Sequence, residues 1–193
     1  MLAVILVGGQ SSRMGRDKAM LTVDGKPMAR LLAERFAAAG YDTAFSVDRA
    51  GRFPLDGACE LEDAFPGQGP LNGLYAAFTR TDAPCILLMG TDLPAAEPAL
   101  AKRLETLRGD HDACMIRRSD GTVETLFGIY SRSCFPAAAE CLREGRRSMR
   151  SALDKLCVRY VDEAELPEWD IPRLLQNVNT PEAFAEFLSA RGE

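Results

Sequence analysis

Histidine is nearly missing from this 193-residue chain: His111 is the only one. It stands in the polar turn "GDHDA" (109–113), a setting that reads as a solvated loop position rather than a catalytic one. With no second histidine to act as base for Ser11, Ser12 or a cysteine, the nucleophilic hydrolase triads are disfavoured. The six cysteines (Cys59, Cys85, Cys114, Cys134, Cys141 and Cys157) contain no C-x-x-C pair. Together with a lone histidine they give no support to a zinc site. A basic surplus is also missing, since 23 Lys and Arg face 28 Asp and Glu for a net charge of −5. That balance argues against a nucleic-acid binder. Long apolar runs are absent. Nothing approaches the roughly 18 residues of a membrane span, and the run Leu2–Val7 is too short for a signal-peptide core of roughly 7–15 residues. The expectation is a cytoplasmic protein with reduced, mostly buried thiols. No internal repeat, low-complexity tract or linker interrupts the chain, so a single domain over residues 1–193 is expected.

What is present is a sequence that can bury a core without staples, 47% apolar and 26% charged. "LAVILV" (2–7) and "CILLMG" (85–90) are continuous apolar runs, as in strands covered on both faces. "YDTAFSVD" (41–48), "ACELED" (58–63) and "CVRYVD" (157–162) are further strand candidates. Helical periodicity marks 28–40, 70–80, 98–108, 135–145, 148–156 and 181–191, with Pro27 as a first helical position. "DACMIR" (112–117) and "VETLFGIY" (123–130) flank an Asp-Gly turn signal. The alternation predicts an α/β fold, a Rossmann-like three-layer α/β/α sandwich whose mostly parallel sheet carries an antiparallel insertion.

In such sheets ligands bind beyond the carboxyl ends of the strands, so the loops after "LAVILV" and "CILLMG" should face one crevice. The first is "GGQSSRMGRDK" (8–18). Gly8 and Gly9 let backbone approach a ligand closely. Successive amides there can hold an anion, with Ser11 and Ser12 adding hydroxyls. Arg13 brings a planar fork and Lys18 a point charge. These residues describe a phosphate site, although neither the P-loop nor the Gly-x-Gly-x-x-Gly spacing is present, which disfavours a dinucleotide-dependent oxidoreductase. The second loop, "GTDLP" (90–94), offers Asp92, either as a magnesium ligand beside a triphosphate or as a simple turn cap. Asp63 precedes the Gly- and Pro-rich run 66–73, which is either a plain connector or a place where a nucleotide meets a helix. In "NVNTPEAF" (177–184), Thr180 and Pro181 are explained as helix N-cap and first helical position. Asn177 and Asn179 are not. The basic run "REGRRSMR" (143–150) reads by default as a solvated helix face, with neutralisation of a phosphate as the alternative.

Read together, these stretches resemble the nucleotidyltransferase superfamily. "LVGGQSSRMGRDK" (6–18) is similar to its opening signature L-x-G-G-x-S-x-R-M-G-x-x-K, and "GTDLP" to its metal-binding motif. The Gly-Gly pair, "PGQGPLNGL" (66–74) and "NVNTPEAF" resemble the molybdenum cofactor guanylyltransferase family. That resemblance implies that Leu6, Val7, Gly8 and Gly9 hold guanine and ribose. It implies that Arg13 and Lys18 face the phosphates, that Asp63 contacts the nucleotide and that Asp92 binds Mg2+. Asn177 and Asn179 would lie toward the molybdopterin. GTP and molybdopterin, or the molybdenum cofactor itself, are the implied substrates. Molybdoenzymes or their chaperones are the implied recipients. Cytidylyl relatives resemble L-A-A-G where Gly8-Gly9 stands, so GTP is expected rather than CTP. The alternatives are a sister enzyme using CTP or a sugar phosphate, and a non-catalytic GTP-binding carrier of the cofactor. The chain departs from the family pattern at Val7, often alanine, and at the end of the second strand. There "FSVDR" offers Ser46 or Asp48 in place of an asparagine. Residues 110–150 match weakly.

Overall fold

A computed structural model of the chain describes residues 1–7, 21–23, 25–51, 59–65, 67 and 69–191. In chain order the elements among them are β1 (Leu2–Leu6), β2 (Thr22–Val23), β3 (Lys26–Pro27), α1 (Met28–Ala38), β4 (Asp42–Val47), β5 (Glu60–Glu62), α2 (Pro70–Arg80), β6 (Cys85–Gly90), α3 (Pro98–Arg108), β7 (Ala113–Arg117), β8 (Val123–Ser131), α4 (Phe135–Arg143), α5 (Met149–Leu153), β9 (Val158–Asp162), α6 (Ile171–Leu174) and α7 (Pro181–Arg191).

Seven strands form one sheet in the order β5-β4-β1-β6-β8-β7-β9. β1 lies at its centre, parallel to both β4 and β6, and is buried because its side chains serve two cores. Ala3 and Ile5 join Leu87 and Met89 of β6 beneath α1 and α3. Val4 joins Ile86 and Leu88 beneath α2, α4 and α5. A strand with no solvated face has no polar positions to alternate, which is why these runs are continuously apolar. The fold is therefore the expected three-layer sandwich. Its antiparallel insertion lies inside the sheet. β8 runs antiparallel to both β6 and β7 and sits between them inside the main sheet, while β9 closes the edge parallel to β7. The Asp-Gly turn does join β7 to β8, with Gly121 at φ +84° and its N–H on the Arg118 carbonyl at 2.9 Å.

Several boundaries differ from the sequence expectation. Pro27 is the N-cap of α1 rather than its first helical residue, because it pairs with Thr22 in a small antiparallel ribbon of β2 and β3. The helix expected over 148–156 shrinks to Met149–Leu153, started by Ser148, whose hydroxyl accepts from the Ser151 N–H. All six cysteines are free thiols, with Cys114, Cys134 and Cys141 buried. Among the described residues no helix is long and apolar enough to cross a membrane.

α2 is the helix that matters most for the site, and both of its ends are fastened. At the carboxyl end Arg132 donates to the carbonyls of Phe78 at 3.0 Å and Ala83 at 3.1 Å, and to that of Thr81. Its guanidinium also lies 5.3 Å from the centre of the Phe78 ring. A cation here satisfies the orphan carbonyls and complements the helix dipole. Arg132→Ala is expected to cost about 2 kcal/mol, the scale of charge-assisted hydrogen bonds to buried carbonyls. In a chain of this size that lowers the thermal midpoint by roughly 4–8 °C. A melt followed by circular dichroism tests this, and an unchanged midpoint would contradict the capping role.

Candidate active site

Strand register determines what meets at the carboxyl edge of the sheet. Leu6 stands opposite Ser46 of β4 on one side and Gly90 of β6 on the other. The segments leaving β1 and β6 therefore emerge side by side. Val7 continues the β1–β4 ladder by one bond, its N–H reaching the Ser46 carbonyl at 3.1 Å. The Val7 side chain is buried, so this residue offers a ligand backbone rather than side chain. Gly8, Gly9, Arg13 and Lys18 lie outside the described residues.

On the β4–β5 side, Asp63 extends its own ladder, its N–H reaching the Val47 carbonyl at 2.8 Å. The half-buried Asp63 carboxylate accepts the Ser46 hydroxyl at 3.0 Å. Burial pushes its pKa above the ordinary aspartate value. The hydrogen bonds from Ser46 and Asn72 pull the other way, and the nearby Asp48 charge adds to the upward push. Of the two candidates at the end of the second strand, Ser46 is 3% exposed and directs its hydroxyl to Asp63. It orients a carboxylate instead of facing outward.

The first turn of α2 closes over this row. Gly73 packs so tightly that a β-carbon there would lie 2.5 Å from Leu6 Cδ2 and 2.8 Å from Ser46 Oγ. Asn72, fully buried, turns its carboxamide to Phe65, accepting from the Phe65 N–H at 3.2 Å and donating to its carbonyl at 2.9 Å. Both lie within "PGQGPLNGL" (66–74), but neither residue has a role of its own legible in that stretch. The available signal was a polar Asn and a Gly in the first turn of a helix whose neighbours Leu71 and Leu74 are core residues.

On the β6 side, Asp92 is partly buried in the loop beyond Gly90, and its carboxylate lies so close that a β-carbon on Gly90 would collide with it. The Asp92 carbonyl accepts the Val178 N–H at 2.8 Å. This bond brings the C-terminal "NVN" stretch onto the same edge. Val178 is buried while Asn177 and Asn179 on either side are exposed, as in an extended segment with alternating faces. Thr180 then caps α7, its hydroxyl accepting the Ala183 N–H at 3.2 Å. Leu6, Val7, Asp63, Asp92, Asn177 and Asn179 thus share one end of the sheet. His111 does not. It follows α3 at the opposite edge, with its ring Nδ1 2.9 Å from the Arg108 carbonyl. In the basic run, Arg143, Arg147 and Arg150 are exposed as expected, and Arg146 pairs with Glu144. The fold nevertheless sets the Arg147 carbonyl against Gly69, 3.3 Å from where a β-carbon would stand.

Among the described residues no group of three His, Cys, Asp or Glu side chains is gathered as a metal cage. A single carboxylate such as Asp92 fits instead a hard cation that keeps its waters and takes its other ligands from substrate phosphates, as magnesium does.

The sequence profile of the MobA-like NTP transferase domain matches residues 3–185. The chain belongs to that family. This MobA-like chain is 34% identical to a Nostoc sp. protein named "Probable molybdenum cofactor guanylyltransferase", over 95% of its own length and 88% of the relative's. Among solved structures it resembles the molybdopterin-guanine dinucleotide biosynthesis protein A of Archaeoglobus fulgidus, with a TM-score of 0.85 at 22% identity, over 100% and 99% of the two chains. It also shares its fold with Rv0371c of Mycobacterium tuberculosis, solved in complex with manganese, with a TM-score of 0.64 at 20% identity over 98% of each chain.

Two outcomes follow from this geometry. Because the folded state raises the Asp63 pKa, it binds a proton more readily than the unfolded chain does. Stability contributed by this group is full at low pH and is lost as pH rises from the ordinary aspartate value through the raised one. Asp63→Asn, a neutral isostere, should therefore melt at or above the wild-type temperature at pH 7, with the difference vanishing near pH 3. A clear drop at pH 7 would show that ionised Asp63 stabilises the fold. Gly73→Val should lower the melting temperature by several degrees, since overpacking costs about 1–3 kcal/mol. A fully stable Gly73→Val protein would show that α2 can back away from β1.

Proposed function

We propose that this protein is a molybdenum cofactor guanylyltransferase, transferring GMP from GTP to the terminal phosphate of molybdopterin or of its molybdenum-bearing form. The observation that carries this reading is the Val178–Asp92 hydrogen bond. It joins the candidate metal and triphosphate loop to the candidate pterin-side asparagines within a chain of the MobA-like family.

An oxygen of the acceptor's terminal phosphate attacks the α-phosphorus of GTP. A new phosphorus–oxygen bond forms, the bond from the α-phosphorus to the bridging oxygen breaks, and pyrophosphate leaves. The nucleophile is already an anion, so no protein base is required, in keeping with a described edge that carries no histidine. Catalysis then rests on positioning and charge neutralisation. Asp92 would hold a magnesium ion, which supplies positive charge at the phosphate oxygens. Arg13 and Lys18 neutralise the leaving pyrophosphate. Gly8, Gly9, Leu6 and Val7 take the guanine and ribose, with backbone as the contacting surface at Val7. Asp63, held by Ser46, accepts hydrogen bonds from the nucleoside. Asn177 and Asn179 face the acceptor. The recipients of the product would be molybdoenzymes or their chaperones, and the compartment the cytoplasm.

The test is incubation with molybdopterin, magnesium and each NTP in turn, scored for pyrophosphate and for nucleotide-bearing pterin. GTP should be the productive donor. Product from CTP alone would assign the sister activity, and GTP binding without pyrophosphate release would assign a carrier. Lys18→Ala and Asp92→Ala should each lower turnover at least about a hundredfold, the scale of losing one charged transition-state contact. Their circular dichroism should remain unchanged. Near-normal pyrophosphate release by either variant refutes its assigned role.

A further inference from the structure

Asn72 takes no part in the transfer chemistry, yet it is the most completely enclosed polar side chain at this edge. Its exposure is 0%, against 3% for Ser46 and 7% for Thr91. A buried carboxamide is tolerated only when its donors and acceptor are matched, and here the match is specific. Oδ1 accepts from the Phe65 N–H and Nδ2 donates to the Phe65 carbonyl, so the side chain pairs with that backbone as a neighbouring strand would. Phe65 lies two residues beyond Asp63, so the carboxamide holds the segment that carries that carboxylate. Its backbone is fixed in turn, the Asn72 N–H reaching the Gly69 carbonyl at 3.1 Å in the first turn of α2.

This arrangement has a purpose that packing alone does not require. β5 is a three-residue strand at the edge of the sheet. Its ladder to β4 ends with the Asp63 N–H on the Val47 carbonyl. The segment beyond, which carries Asp63, needs another anchor. Ser46 holds the carboxylate from the β4 side, and Asn72 holds the backbone that follows it, at Phe65, from the α2 side. Gly73 is what lets the helix come close enough to do so.

We infer that Asn72 is a positioning residue for nucleotide recognition: its buried carboxamide ties the first turn of α2 to the segment 63–65 and presents the Asp63 carboxylate to the nucleoside in one fixed orientation. This rests on the reading that Asp63 contacts the nucleotide. Substitutions separate it from a packing role. Asn72→Ala removes the hydrogen bonds and leaves a void. Asn72→Asp fills the space and keeps an acceptor for the Phe65 N–H, but loses the donor and sets a carboxylate oxygen against the Phe65 carbonyl. A packing residue would therefore tolerate Asp better than Ala. A residue acting through its donor would tolerate Asp no better, and worse where the carboxylate and the Phe65 carbonyl repel.

The experiment is calorimetric binding of GTP with magnesium to full-length wild type, Asn72→Ala, Asn72→Asp, Asp63→Ala and the Asn72→Ala/Asp63→Ala double variant, with the fold of each checked by circular dichroism. Expected are at least tenfold weaker binding for Asp63→Ala and about fivefold to tenfold weaker binding for Asn72→Ala. Asn72→Asp should bind no better than Asn72→Ala. In the Asp63→Ala background the second change should add less than twofold, because its effect runs through the carboxylate already removed. In turnover assays Asn72→Ala should raise KM for GTP while leaving kcat within threefold. Wild-type affinity in Asn72→Ala, tighter binding by Asn72→Asp than by Asn72→Ala, or a full additional loss in the double variant each overturns the inference while leaving the nucleotide role of Asp63 standing. Unchanged affinity in Asp63→Ala overturns that role, and the inference with it. Should Asn72→Ala fail to fold, the near-isosteric Asn72→Asp decides alone: wild-type GTP affinity there overturns the inference, and weakened affinity in a folded protein supports it.

Discussion

The first turn of α2 can touch the ends of β1 and β4 only because residue 73 carries no side chain. Everything on the β5 side of the candidate site depends on that contact. It lets Asn72 reach across to Phe65, and it lets Ser46 remain in place to bond the Asp63 carboxylate from below. One missing β-carbon thus converts a short edge strand and a loop into a rigid acceptor of hydrogen bonds. Arg132 supports the arrangement from a distance, gripping the carboxyl end of the helix whose amino end forms the site.

The β6 side is organised differently. Its functional loop is short, and the other half of the edge comes from the C-terminal segment through the bond from Val178 to Asp92. The two halves are joined by the parallel pairing of β1 and β6, so nucleotide and acceptor would be held on opposite flanks of one central strand pair. The raised pKa of Asp63 means that burial disfavours its ionised form, so a carboxylate kept at this position costs the fold stability.

Much of this was legible in the sequence, for identifiable reasons. Strands buried on two faces have no polar positions, so β1 and β6 announced themselves as unbroken apolar runs. Leu6 and Asp92 came to one edge because β1 and β6 are parallel neighbours that end together. Thr180 as a cap was readable from local chemistry alone. The burial of β8 within the sheet was not, because an antiparallel strand next to a parallel one looks the same in sequence as a hairpin appended at the edge. Pro27 was misplaced by one position because a two-residue ribbon captured it before the helix began. The individual roles of Asn72 and Gly73, within a stretch that did stand out, were hidden for a deeper reason. Their importance lies in what approaches them from β1, β4 and the 63–65 segment, and no local pattern encodes the distance to a remote neighbour. Ser46 and Asp48 likewise could be told apart only once Asp63 was in view.

The hydrogen bond between Val178 and Asp92 also bears on the order of assembly. It joins segments nearly half the chain apart, and between them lie β7, β8 and β9, the strands that complete the far half of the sheet. Contacts spanning so much sequence form late, because the intervening chain must first be ordered. During synthesis the strands β1, β4, β5 and β6, with Asp63 and Asp92, are made well before Asn177 and Asn179 leave the ribosome. A growing chain would thus acquire the nucleotide flank of its site first and the acceptor flank among its final steps, so that the capacity to bind a donor precedes the capacity to use it.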